Sequence, residues 1–292
     1  IKIHCTQLEY MLLNGNMRHV NSAQQAYCIL RPMKKSHLVG LLLTVGTMAG
    51  CCSASVIKHP TSLVDTLKVN TVALVHRDGD GDITPYCSGV WVSADTILTA
   101  NHCVRAAVRN QVKEDLDEHD DDVTEGQLNV LINDKEKGFE IMYMVVGDYT
   151  GLWREPKALY LSTVSQFNDE HDLALLTVAE KKQPQHTWAT VAARAPEVGD
   201  TLSVMGHPSG LAWTYTNVMV SAYREENFRA VEDEGKLGPW MQVAGEVWKG
   251  NSGGGAFNRY GQLVGIGSFM PPAPNECFFV HVDTIRIFLG KK

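Results

Sequence analysis

The chain has 292 residues, enough for one or two domains with a substantial buried core, and its 44% hydrophobic content excludes a disordered polypeptide. A formal net charge of −7, from 26 basic against 33 acidic residues, excludes a general nucleic-acid binder, whose phosphate contacts need basic patches.

The N-terminal segment reads as a leader. Residues 1–32 are expected to be a non-native upstream extension, because Met33-Lys34-Lys35 introduces the apolar run Leu38–Gly50. A basic start, a short apolar run and small residues at its end make 33–50 a signal peptide. The run has 13 residues, too short for an ordinary membrane-spanning helix. It closes on Met48-Ala49-Gly50-Cys51, which resembles a bacterial lipobox with Met48 where that motif favours leucine. The resemblance implies a diacylated Cys51 and a lipid anchor to a membrane. Ordinary cleavage near Ala49 or Ala54 is the alternative. The expected product is an exported cell-envelope protein with a tether over residues 51–68.

From Val69 onward the chain is written in short β-type runs bounded by Gly, Pro, Asp or Asn: Thr71–His76, Gly89–Val92, Thr96–Thr99, Leu128–Ile132, Ile141–Val146, Leu173–Val178, Thr201–Met205, Met219–Ala222, Leu263–Ser268 and Phe278–Val282. No long helical period is expected between 69 and 282. A short helix is expected over 283–289, with Asp283 as its N-cap. Residues 113–125 hold eight acidic residues and one lysine, and read as a solvated surface insertion. Of the seven cysteines, Cys87 and Cys103 bracket a predicted hairpin and are the expected disulfide, worth about 3 kcal/mol in the chain-entropy model.

Three segments carry chemistry. Gly250-Asn251-Ser252-Gly253-Gly254-Gly255 offers a nucleophile, Ser252, in a glycine turn that lets backbone approach a substrate closely. The N–H groups of Gly250 and Ser252 are candidate oxyanion donors. Leu98-Thr99-Ala100-Asn101-His102-Cys103 offers a base, His102, at the exit of a strand. His171-Asp172-Leu173-Ala174-Leu175-Leu176 offers an orienting carboxylate, Asp172, with Asp169 and Glu170 as nearby competitors. Each segment alone is weak: a Gly-Ser turn is common, and the chain has 11 histidines. Together they stand in the order His, Asp, Ser used on β-barrel scaffolds.

At these residues the chain resembles a trypsin-like (chymotrypsin-fold) serine endopeptidase over roughly residues 69–290. The family's L-T-A-A-H-C stands here as L-T-A-N-H-C, and its D-L-A-L-L and G-[DN]-S-G-G are both present. The Cys87–Cys103 pair beside the histidine is similar to the trypsin disulfide. Met205–Gly210, Val218–Ala222, Gln242 and Gly261–Ile266 are similar to the bacterial HtrA-like branch, and no PDZ domain is expected. The resemblance implies an all-β fold of two packed six-stranded antiparallel barrels, 69–180 with His102 and Asp172, and 190–282 with Ser252. It also implies protein or peptide substrates, no cofactor and no metal.

For the substrate pocket, the resemblance implies walls at Gly267–Met270 and Phe278–His281. Glu246 falls at the pocket base, on its rim or in solvent. Ser268, Phe269, Met270 and Phe279 suggest a pocket for an apolar side chain and His281 one for an acidic side chain; both remain open. The implied activity is endopeptidase. The rivals are a catalytically silent protease-fold binding protein and an esterase using the same groups.

Overall fold

In the computed structural model, residues 62–119, 124–178, 187–225, 228–230, 233–236, 238–271 and 275–291 are described. The leader, Cys51 and most of the expected tether lie outside them. What is described belongs to one unit, Pro60–Lys292.

Two closed six-stranded barrels make up this unit. The first contains β1 (Thr71–Arg77), β2 (Ile83–Trp91), β3 (Thr96–Thr99), β4 (Glu140–Met144), β5 (Tyr160–Asn168) and β6 (Leu173–Thr177), in the order β1-β2-β3-β6-β5-β4. The second contains β7 (Thr201–Gly206), β8 (Thr214–Arg224), β11 (Trp240–Ala244), β12 (Gly255–Phe257), β13 (Leu263–Phe269) and β14 (Glu276–His281), in the order β11-β14-β13-β12-β7-β8. A two-stranded ribbon, β9 (Phe228–Ala230) with β10 (Asp233–Lys236), stands apart from them. Closure leaves neither barrel with an open edge. Gly89 permits the tight curvature of barrel one: a Cβ there would sit 2.6 Å from Ile97 Cγ2.

Apolar burial joins the two halves. The main cluster runs from Trp91, Ile97 and Tyr143 in barrel one into Met205, Trp213 and Phe257 of barrel two. A second fills barrel two around Val204, Val220, Met241 and Phe279.

Helices bring the corrections. Helix α1 (Leu63–Asn70) occupies the described end of the expected tether, with a Ser62/Asp65 capping box at its start. The run Leu128–Ile132, expected as a strand, lies in helix α3 (Glu125–Lys135). Ahead of it, the 19-residue helix α2 (Asn101–His119) starts beside His102 and absorbs the first part of the acidic run. Val104, Val108 and Val112 are buried at four-residue spacing, and Leu116 continues the series, so α2 docks by a narrow apolar stripe beneath a polar surface. The C-terminal helix, α4 (Val282–Phe288), is capped by His281 rather than Asp283: the His281 ring accepts from the Asp283 N–H at 3.2 Å.

The insertion is braced by Glu136, just past α3. It is 1% exposed and lies 3.3 Å from Arg105 of α2. Burial pushes its carboxyl from the usual 4.5 up to about 7, against the pull of Arg105. The folded protein thus holds this proton more tightly than the unfolded chain does. The resulting contribution to stability is complete below pH 4.5 and lost as the pH climbs through about 7. Urea midpoints measured across that window should fall with rising pH in the parent protein and fall less in Glu136→Gln, which stays neutral throughout.

Candidate active site

Strand register brings the histidine and the aspartate together. Thr99 of β3 pairs with Ala174 of β6 in an antiparallel ladder. The residues just past β3 and just before β6 therefore emerge at the same end of barrel one. His102 enters the first turn of α2, and Asp172 turns back at a positive φ of 53°. The Asp172 side chain is 1% exposed, against 28% for His102. Its Oδ1 accepts the His102 backbone N–H at 2.8 Å, and its Oδ2 accepts His102 Nδ1 at 2.8 Å. Because an ionised carboxylate only accepts, Nδ1 carries the proton and Nε2 keeps its lone pair.

Asp169 and Glu170 do not compete for the ring. Asp169 is exposed, and its carboxylate accepts from Asn101 Nδ2 at 3.1 Å while its carbonyl accepts the Asp172 N–H at 3.3 Å. Glu170 is exposed.

Ser252 arrives from barrel two, in the turn between β11 and β12. His102, Gly250, Asn251 and Ser252 line one cavity of about 430 Å³. Among the described residues the Ser252 hydroxyl has no hydrogen-bond partner, and the contact made by His102 Nε2 is with Cys103 Sγ at 3.8 Å. Cys103 is tied to Cys87, so the Cys87–His102–Cys103 cluster has no thiolate to offer a metal.

The backbone of the serine turn can be accounted for bond by bond. The carbonyls of Lys249, Gly250, Asn251 and Ser252 accept from Ser209 N (2.7 Å), Ser88 Oγ (2.8 Å), Gly254 N (2.8 Å) and Ser88 N (2.8 Å). The Asn251 and Gly253 N–H groups donate to Trp248 O (3.1 Å) and Gly267 O (2.8 Å). Among the described residues, the N–H groups of Gly250 and Ser252 donate to nothing. Glycine is required at two points of this turn. Gly250 has φ +101°, and a Cβ there would lie 2.3 Å from His207 O; Gly253 has φ +77°, and its Cβ would lie 2.2 Å from Ser88 O.

The expected pocket residues divide. Ser268, Phe269 and Met270 line the cavity. Glu246, Phe279 and His281 do not. Glu246 is exposed because its neighbour Val247 takes the inward position, 8% exposed. Phe279 is fully buried in the core of barrel two, and His281 caps α4. The sequence did not single out Tyr86, Val247, Trp248 and Cys277 as lining residues. Burial pushes the Cys277 thiol up to about 12, so it lines the wall as a neutral group. Ser268 has a second role that the sequence did not signal: its hydroxyl donates to Asp172 Oδ2. A larger cavity of about 910 Å³ lies between the β1–β2 hairpin, α2 and β4, and shares Tyr86 with the smaller one.

Comparison with known proteins agrees with this architecture. A family model described as a trypsin-like peptidase domain matches residues 87–266. A probable periplasmic serine endoprotease, DegP-like, from Rhizobium meliloti (strain 1021) is 35% identical over 107 residues, 36% of this chain and 20% of its own length. Its counterpart in Brucella suis biovar 1 (strain 1330) is 36% identical over 95 residues, 32% of this chain and 18% of the relative. The matches thus span about a fifth of the length of these curated relatives. Among solved structures, the active form of the Rv3671c protease from M. tuberculosis superposes with a TM-score of 0.56 at 15% identity, covering 79% of this chain and 84% of that one. The serine endoprotease from Yersinia pestis superposes with a TM-score of 0.52 at 19% identity, covering 80% and 67%. At such identities the likeness is one of fold.

Ser268→Ala removes one of the donors to a buried carboxylate. Chemical denaturation should show a loss of about 1.5–3 kcal/mol, the usual worth of a hydrogen bond to a charged group.

Proposed function

Because the chain belongs to the trypsin-like peptidase domain family, we propose that it is a serine endopeptidase in which His102, Asp172 and Ser252 act as the catalytic triad. The observation that carries this reading is the paired 2.8 Å contact of Asp172 with His102, which leaves the basic Nε2 in the cavity that Ser252 also lines. Rotation of an unpartnered serine hydroxyl about χ1 is cheap, and catalytic hydrogen bonds are often loose before substrate arrives.

In this mechanism Nε2 takes the Ser252 proton as Oγ attacks a peptide carbonyl. Asp172 stabilises the resulting imidazolium. The free N–H groups of Gly250 and Ser252 receive the oxyanion. His102 returns the proton to the leaving amine, the C–N bond breaks, and an acyl-enzyme on Ser252 remains. Water then attacks the acyl-enzyme as His102 takes its proton, the ester bond to Ser252 Oγ breaks to release the acid, and His102 returns the proton to Oγ.

The substrates are proteins or peptides. Location in the cell envelope follows from the signal-like segment, and the matched relatives bear the description periplasmic. Cys51 is the anchor in this reading, as a diacylated N-terminal residue of the processed chain.

A fluorophosphonate probe should label the parent protein and not Ser252→Ala, and a polypeptide library should be cut within its chains. Ser252→Ala and His102→Ala should each lower kcat/KM by at least about 10⁴-fold. A folded protein that takes up no probe is the silent binder instead, and one that cleaves only small esters is the esterase. Fractionation tests the anchor separately: Cys51→Ser should move the protein from membrane to soluble fractions, and an unchanged distribution would rule the lipid out.

A further inference from the structure

Two residues outside the triad, Ser88 on β2 and His207 just after β7, meet behind the serine turn. Both are fully buried. The Ser88 hydroxyl lies 2.8 Å from Gly250 O and 2.9 Å from His207 Nδ1. A carbonyl only accepts, so the single hydroxyl proton goes to Gly250 O, and His207 Nδ1–H must donate to Ser88 Oγ. The ring is therefore the Nδ1–H tautomer. Its Nε2 has no partner among the described residues, and the ring stands edge-on to Trp213 at 4.7 Å and to Trp153 at 5.9 Å. Burial holds the His207 pKa down at about 3, so this donor arrangement is constant across the physiological range.

The same short segment supplies Ser209, whose N–H holds Lys249 O at 2.7 Å. The contacts close a ring: His207 to Ser88, Ser88 to Gly250, Gly250 back along the chain to Lys249, Lys249 to Ser209, and Ser209 back to His207. Gly250 sits inside this ring at φ +101°, with no side chain to restrain it. Both peptide planes that flank it are pinned by their carbonyls, one by Ser209 and the other by Ser88. A trans peptide is planar, with its N–H opposed to its C=O. Pinning Lys249 O on the Ser209 side therefore turns the Gly250 N–H the other way, away from the buried ring.

Building on the peptidase reading, we propose that Ser88 and His207 are positioning residues for the oxyanion hole. His207 orients the Ser88 hydroxyl, and that hydroxyl holds the turn so that the Gly250 and Ser252 N–H groups stay aimed at the reacting carbonyl. Neither residue lines the cavity beside Ser252, so neither acts by touching substrate.

The test uses the full chain and a peptide amide substrate. Ser88→Ala and His207→Phe, the latter keeping an aromatic ring against Trp213 without an N–H, should lower kcat about 10- to 100-fold with KM within about twofold. His207→Asn, whose amide can present an N–H near the Nδ1 position, should return kcat to within about threefold of the parent. Affinity for a peptidyl aldehyde, which forms an oxyanion on Ser252, should fall with kcat. Affinity for the matching alcohol should not. Folded variants with unchanged kcat and an unchanged aldehyde-to-alcohol ratio would overturn the proposal. So would an Asn variant as impaired as Phe, or failure of both Ser88→Ala and His207→Phe to fold, which would make the pair purely structural. A parent protein that neither labels nor hydrolyses sinks the peptidase reading itself; an active parent with indifferent variants sinks the positioning role alone.

Discussion

A carboxylate removed from water must be met by donors, and Asp172 is met from both barrels at once. Barrel one supplies the His102 N–H and ring, and β13 of barrel two supplies the Ser268 hydroxyl. Each bond to the charged group is worth about 1.5–3 kcal/mol, and losing a donor leaves part of the charge buried without compensation. The geometry that orients the imidazole is thus also one that ties the two halves of the fold together. Separating the barrels would take the Ser268 donor away from the carboxylate.

The tie runs in the other direction as well. The serine belongs to barrel two, yet its turn is gripped by barrel one. Ser88 N–H holds the Ser252 carbonyl at 2.8 Å, and Thr99 Oγ1 holds the Ser88 carbonyl at 2.8 Å. Gly253 has to approach this pair without a side chain. A serine presented by one barrel and braced by its neighbour places the candidate site at the junction: each half supplies supports for the other's groups.

Legibility in the sequence followed the range of the interactions. His102, Asp172 and Ser252 each lie in a short run whose strand or turn character is local, so motif and order suffice to single them out as candidates. The Ser268 hydroxyl and the Ser88–His207 contact join residues 96 and 119 apart, and no local pattern announces such pairs. Helix α2 is an intermediate case. Val104, Val108, Val112 and Leu116 carry its period, but the surrounding charges masked so narrow a stripe, and the acidic tail looked like loop. Glu246 shows another limit. Which of two adjacent residues faces a cavity depends on the turn preceding it, here Gly245 at φ +154°, and a one-residue shift exchanges inside for outside.

The helical insertion is more than a surface addition, because it carries His102. Arg105 sits three residues beyond His102 on α2, 3.3 Å from the buried Glu136 and 3.7 Å from Asp169. Asp169 in turn accepts from Asn101 and, through its carbonyl, from the Asp172 N–H. The start of α2, the end of α3 and the loop bearing the orienting carboxylate are therefore one hydrogen-bonded frame. This frame holds His102 and Asp172 to each other, while the Ser88 N–H bond to the Ser252 carbonyl and the Ser268 bond to Asp172 tie the serine turn and its barrel back to the same frame.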